Sequence, residues 1–225
     1  MNKMSWTRRV VNSLRKRAPG PPPAPGRLVF PRPQDSWRDY PADGLTPSKL
    51  ARILKASDAG ALDEPMQLYE QMEEKDAHLF SVAATRRLAL TGLDWQIVPA
   101  TEAGGAGSGA LAEEAAAYCQ EALSGLDGFD EALQHLSLAL GRNLAVAELV
   151  WEVSAGRHRL AEVVPVDFTR LSFGEADEVR ILTAEEPFEG IPLPARKFVV
   201  HTPHTASGHP SRGGLLRVTA LAFLG

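Results

Sequence analysis

"MEEKDAHLFSVAATRRLALTGLDWQIVPA", residues 72–100, decides the fold. The stripe Met66, Tyr69, Met72, Phe80, Ala83 and Leu90, with Leu79 at its edge, recurs at helical spacing. It predicts one helix from about Asp63, with Pro65 in its first turn, to Thr91 before Gly92. At 1.5 Å per residue that is a rod roughly 40 Å long. Beyond Gly92 the period changes. Leu93, Trp95 and Ile97 alternate with polar residues until Pro99, which predicts a short strand with one buried face. Asp76 falls in the middle of the helical stripe, one turn from both Met72 and Phe80. An acid there needs a hydrogen-bond partner, from the later β-rich half or from a neighbouring subunit. Arg87 shares the face but lies too far along a straight helix to pair with it.

Outward from this stretch the punctuation is clear. "LTPSKLARILKASDAG" (45–60) offers Thr46 as N-cap, Pro47 at the first helical position, and Leu50, Ile53 and Leu54 as an apolar face, with Gly60 as the stop. "TEAGGAGSGA" (101–110) reads as a surface loop; it lacks the ordered spacing and the Lys-Ser/Thr of a phosphate-binding loop. "LAEEAAAYCQEALSGL" and "FDEALQHLSLALG" read as two helices divided at Asp127-Gly128, with Cys119 a small packing residue of the first. "LAVAELVWEV" (144–153) and "HRLAEVVPV" form a hairpin signal around Ser154-Ala155-Gly156-Arg157. Further strands are expected at 179–182 and 197–201. Helices first and strands second make an α+β pattern without βαβ alternation. "LLRVTALAFLG" closes the chain as a final core strand or as an apolar element cut short.

The formal charge of −4 is unevenly spread. Lys3, Arg8, Arg9, Arg15, Lys16 and Arg17 give residues 1–17 a charge of +6 with no acid, leaving −10 for the rest. An acidic body argues against a protein that binds nucleic acid over its whole surface. The arm spaces Trp6, Val10 and Leu14 four apart and is Arg-rich like a transit peptide, yet it reads as a disordered arm. Seven of the seventeen prolines fall in "APGPPPAPGRLVFPRP" (18–33), an extended linker or a strap over another surface. Residues 1–44 are therefore assigned to arm and linker, largely disordered, and 45–225 to one α+β domain. A single cysteine excludes an intrachain disulfide and a cysteine-based zinc site, and fits a reducing compartment. No apolar run has the length of a membrane span, and residues 1–17 lack the apolar core of a secretory signal.

Two clusters could carry chemistry. Glu74 and His78, with Glu70, lie four apart on the predicted helix, but no HExxH-type pair accompanies them, and a solvated charged face explains them. His201, His204 and His209 fall within nine residues and could hold zinc for a small metal-dependent hydrolase. Pro203, Gly208 and Pro210 make that segment a polar loop, with no acid to orient a ligand. No GxSxG elbow supports nucleophilic catalysis.

Residues 45–100 together resemble the N-terminal half of the Mu-like phage portal protein family. "GRNLAVAELVWEV" and "KFVVHTPHTASGHPSRGGLLR" resemble later landmarks of that family, in the same order. The resemblance implies an α+β portal wing, with long N-terminal helices before a β-rich half. It implies a structural protein of the head–tail vertex, with no catalytic residue, no metal and no cofactor. Asp76, Gly92, Trp95 and Trp151 are its structural or interaction candidates. The expected partners are copies of itself in a ring, commonly of twelve, together with terminase, capsid or scaffold, and head-completion proteins. DNA would pass through the ring without sequence-specific binding, and no membrane is involved. The expected location is the virion's portal vertex, and the host cytoplasm during assembly. Family members continue beyond the match into stem and clip, so the domain is expected to be C-terminally incomplete. An adaptor that merely binds other phage proteins is the remaining non-enzymatic alternative.

Overall fold

The computed structural model describes residues 26–29, 40–100, 109–154, 156–203 and 209–224. The basic arm, most of the 101–110 loop and His204 lie outside them. The first helix, α1 (Pro47–Asp58), begins as the sequence indicates: Thr46 is extended and its hydroxyl accepts from the Lys49 N–H at 3.2 Å. Leu50 and Ile53 are buried, and Gly60 follows in the left-handed region at φ +91°.

The predicted rod is two helices, α2 (Asp63–Lys75) and α3 (Ala77–Thr91). Asp76 adopts φ −113°, ψ 101°, which is extended rather than helical. Its carboxylate accepts from the His78 and Leu79 N–H groups at 2.9 and 3.0 Å, serving as N-cap of α3. The acid in the stripe thus finds its partners one turn downstream in its own chain. The stripe divides accordingly: Met66, Tyr69 and Met72 are buried on α2, whereas Phe80 and Leu90 are exposed on α3.

After α3 no strand forms. Trp95 is exposed and meets Phe129 edge-on at 5.3 Å, and the Ile97 N–H is bound by the Gln120 side chain at 3.1 Å. An alternating pattern makes a strand only beside a free sheet edge, and these groups are partnered by a helix instead. The next helices are α4 (Gly109–Ser124), α5 (Phe129–Ser137) and the short α6 (Ala139–Arg142). Cys119 is exposed on α4, so it packs nothing. Asn143 ends α6 in the left-handed region at φ 62°.

The strands follow as β1 (Ala145–Ser154), β2 (Arg157–Pro165), β3 (Leu171–Phe173), β4 (Val179–Ile181), β5 (Ile191–Pro192) and β6 (Phe198–His201). One antiparallel sheet runs β2-β1-β6 and the other β3-β4-β5. In the first, Ala145 faces His201 and Glu148 faces both Phe198 and Val164. A bulge at Val150/Trp151 shifts the β1–β2 register, re-aiming the outer end of the hairpin. The closing segment, expected as a core strand or as an apolar element cut short, is no strand but a helix, α7 (Leu215–Thr219), and a 3-10 turn, Ala222–Leu224.

The main core joins Leu50, Ile53, Met66, Leu68, Tyr69 and Met72 of the helices to Val146 and Ile181 of the strands and to Leu144 and Val166 flanking them, with Leu216 of α7. A smaller core under α5 contains Leu126, Ala132, Ala147 and Val163. Ala145 to Glu148 of β1 are all buried, with Ala145 and Val146 in the main core and Ala147 in the smaller one. The α+β fold class is the one the sequence indicated. Among the described residues no helix is long and apolar enough to cross a membrane.

Candidate interaction surface

Two features set this surface apart from the packed body: a helix with no fully buried residue and a strap held by a buried ion pair. The break at Asp76 creates the first. A straight helix would place residues fourteen apart about 21 Å from each other. Yet Arg87 Nη1 lies 3.1 and 3.2 Å from the two oxygens of Glu73, so α3 folds back against the end of α2. That pair is largely shielded from water. Gly92 ends α3 by donating to the Leu88 carbonyl at 2.8 Å; a side-chain carbon there would come within 2.9 Å of the same oxygen.

Nine of the fifteen residues of α3 are apolar, yet none is buried. Leu88 is 63% exposed, and Phe80, Val82 and Leu90 are exposed with it. A helix that is apolar around most of its circumference normally lies inside a larger assembly or core. Between α3 and α7 runs an apolar groove of about 290 Å³. Leu79, Val82 and Ala83 form one wall, Leu215 and Val218 the other, and Gly141 and Leu216 the floor. A side-chain carbon at Gly141 would approach the Leu216 side chain to 2.9 Å and require it to shift. Arg86 stands at the rim, with no ion pair among the described residues, and the Arg87–Glu73 pair closes one end.

On the far side of α2, Arg142 is buried with its guanidinium 4.7 Å from the Phe168 ring centre. Burial lowers its pKa from the usual arginine value, against the pull of Glu73 and Glu70. His135 beside it bonds to the Val146 carbonyl at 3.0 Å and is held below its ordinary value, chiefly by burial.

The second feature gives the proline-rich segment a place. Glu148 is 0% exposed and Lys197 2%, with their charged atoms 3.1 Å apart. The Glu148 carboxylate accepts from the backbone N–H groups of both Leu28 and Val29, the latter at 2.8 Å. Lys197 Nζ donates to the Gly26 carbonyl. Gly26 also pairs with Trp151 on the edge of β1 past the end of β6, and Val29 is buried in the main core. Residues 26–29 are thus a strap clasped by two buried charges. Trp151 belongs to this clasp, its indole N–H donating to the Arg196 carbonyl at 2.9 Å.

Among the described residues the candidate metal ligands do not come together. Glu74 and His78 are exposed on different helices, so the four-residue spacing no longer places them on one face. His201 Nδ1 is 2.9 Å from the Leu136 carbonyl. His209 caps the turn at Pro210–Arg212, packs on Phe173 and lies 3.4 Å from Asp177. Each is engaged in the fold. Sequence reading missed the Glu148–Lys197 clasp, though an acid inside the apolar run "LAVAELV" is a signal that a buried partner exists. It missed the Glu73–Arg87 pair because the predicted rod held the two apart.

Comparison with known proteins places these features in a family. The sequence profile described as the portal protein of Mu bacteriophage matches residues 66–225. The chain is 32% identical over 198 residues to Mu-like prophage FluMu protein gp29 of Haemophilus influenzae, covering 85% of this chain and 36% of that protein. It is 27% identical over 188 residues to the portal protein of Escherichia phage Mu, covering 83% of this chain and again 36% of the relative. The chain therefore spans about a third of the length of these curated relatives. Among the described residues, no group of three or more acids, histidines or cysteines is placed to hold a metal ion. With most of its length matched, the chain belongs to the Mu bacteriophage portal protein family.

Proposed function

We propose that this chain forms the wing part of a phage or prophage portal: a structural, non-catalytic component of the ring at the head–tail vertex. Through such a ring DNA would be packaged and later ejected. Terminase, capsid or scaffold, and head-completion proteins would be its other partners. The observation that carries the reading is the family match over residues 66–225, joined to an apolar helix that its own fold leaves uncovered. A monomer gains nothing from exposing six of the nine apolar residues of α3; a subunit of an assembly does. The negative body fits a conduit, since a surface that bound phosphates strongly would retard passing DNA.

Sedimentation velocity of the purified chain over a concentration series, with electron microscopy of the same samples, tests the reading. A discrete ring-sized species is expected. A chain that stays monomeric at every concentration refutes self-assembly.

A further inference from the structure

Phe188 is 89% exposed, the highest exposure of any large apolar side chain among the described residues. It sits in "TAEEPFEG" (183–190), between β4 and β5, with Glu185, Glu186 and Glu189 around it and no basic residue in the loop. The loop is framed rather than loose. Glu186 N–H bonds to the Thr183 hydroxyl at 3.1 Å, and the Ser172 hydroxyl donates to the Glu189 carbonyl at 3.1 Å. Arg180 donates to the Gly190 carbonyl at 2.9 Å. Gly190 is buried at φ +66°, where a side-chain carbon would lie 2.6 Å from the Ile181 carbonyl oxygen. An aromatic ring presented to water on a preorganised acidic loop has the form of an interface anchor.

The same chain carries a socket of opposite character. The α3–α7 groove is apolar, has a volume of about 290 Å³, and bears Arg86 at its rim without an acid partner among the described residues. Val218 on its α7 wall is 75% exposed. The exposure of Phe188 shows that the loop does not fill the groove of its own molecule. We propose that the Phe188 loop of one copy docks in the α3–α7 groove of the next, with the ring against Val82 and Val218 and the flanking glutamates facing Arg86. Knob and socket are different surfaces, so the contact is heterologous and repeats from copy to copy, closing a ring or extending a filament according to the rotation between copies. This assignment rests on the reading that the chain assembles with itself, and adds which two surfaces meet.

Phe188→Ala tests it without disturbing the fold, since the side chain is almost wholly in water. Sedimentation equilibrium should show association weakened about thirtyfold or more, the effect of losing an aromatic anchor, with the thermal midpoint unchanged. Arg86→Glu should weaken association too. Mixing Arg86→Glu chains with Glu185→Lys/Glu186→Lys chains should restore pairing between the two kinds. In a Cys119→Ser background, Val218→Cys chains mixed with Pro187→Cys chains should form a mixed disulfide. If the wild-type chain assembles and Phe188→Ala assembles equally well, this contact is wrong and the assembly reading stands. If Val218→Cys alone cross-links as efficiently as the mixture, two grooves meet face to face, which also overturns the contact. If the wild-type chain does not self-associate, the assembly reading falls and takes the contact with it.

Discussion

Lys197→Met should be among the most damaging single changes in the molecule, and the clasp geometry gives its size. The lysine contacts the Glu148 carboxylate at 3.1 Å and the Gly26 carbonyl, with both charged side chains almost fully out of water. Removing one member of such a pair leaves an uncompensated buried charge, which costs about 3–5 kcal/mol. Two backbone donors, from Leu28 and Val29, still serve the carboxylate, so the lower half of that range is expected. Against a total stability of roughly 5–15 kcal/mol for a domain of this kind, that is a large fraction. The double variant Glu148→Leu/Lys197→Met separates this clasp from an ordinary buried pair. Replacing a simple ion pair with apolar residues is often neutral. Here it would orphan the Leu28 and Val29 N–H groups, at about 1–3 kcal/mol each, so the double variant should stay destabilised. Urea denaturation at equilibrium measures both variants, and limited proteolysis reports release of the strap. A loss below about 1 kcal/mol for Lys197→Met would refute the reasoning, as would a double variant as stable as the wild type.

Three further outcomes follow from particular residues. Asp76→Ala removes two capping bonds from α3 and should cost about 1 kcal/mol in urea denaturation; on a continuous rod the same change would relieve a buried acid, so a gain in stability would refute the break. Gly214→Ala should destabilise the chain or prevent folding, because Gly214 has φ +92° and a side-chain carbon would lie 2.3 Å from the Gly141 carbonyl oxygen; unchanged thermal stability would contradict this packing. His135 is held below 6.5 mainly by burial and also by nearby Arg142, with the Val146 carbonyl and Asp167 opposing. Below that pH the unfolded chain binds a proton that folded His135 does not, so stability falls as pH drops, by at most about 1.4 kcal/mol per unit. His135→Gln should flatten this part of the slope between about pH 7 and pH 5, and an identical slope in both proteins would exclude His135 as its source.

What the sequence revealed was what neighbours in sequence decide. Thr46 and Pro47 start α1 through contacts three residues away, and the β1–β2 hairpin closes through a short turn, so both were legible. Asp76 was ambiguous. An acid before an apolar run is an N-cap signal, but the helical stripe continued through it, and no glycine or proline marked a break. The deciding contact is the Glu73–Arg87 pair, which exists only after the chain has turned. Trp95 failed as a strand for a different reason. Its alternation was real, but a strand needs an edge, and the nearest polar groups belong to α4. Glu148 shows the limit most clearly: its place in an apolar run announces a buried partner, while Lys197, forty-nine residues away, becomes that partner only through the pairing of β6 with β1.

The division of α2 from α3 also separates buried from exposed apolar residues and, on the proposed reading, folding from assembly. Met66, Tyr69 and Met72 of α2 are in the core, and truncating any of them creates a cavity at a cost of about 2–5 kcal/mol. Phe80, Val82, Leu88 and Leu90 of α3 are exposed, so the isolated chain gains little from their being apolar. One continuous stripe in the sequence is therefore buried on α2 and exposed on α3, and the change falls at Asp76. Its cap lets α3 begin afresh with its own orientation, and the Glu73–Arg87 pair holds that orientation against the end of α2. Asp76 thus caps α3, and its carboxylate stands where the buried part of the stripe ends and the exposed part begins.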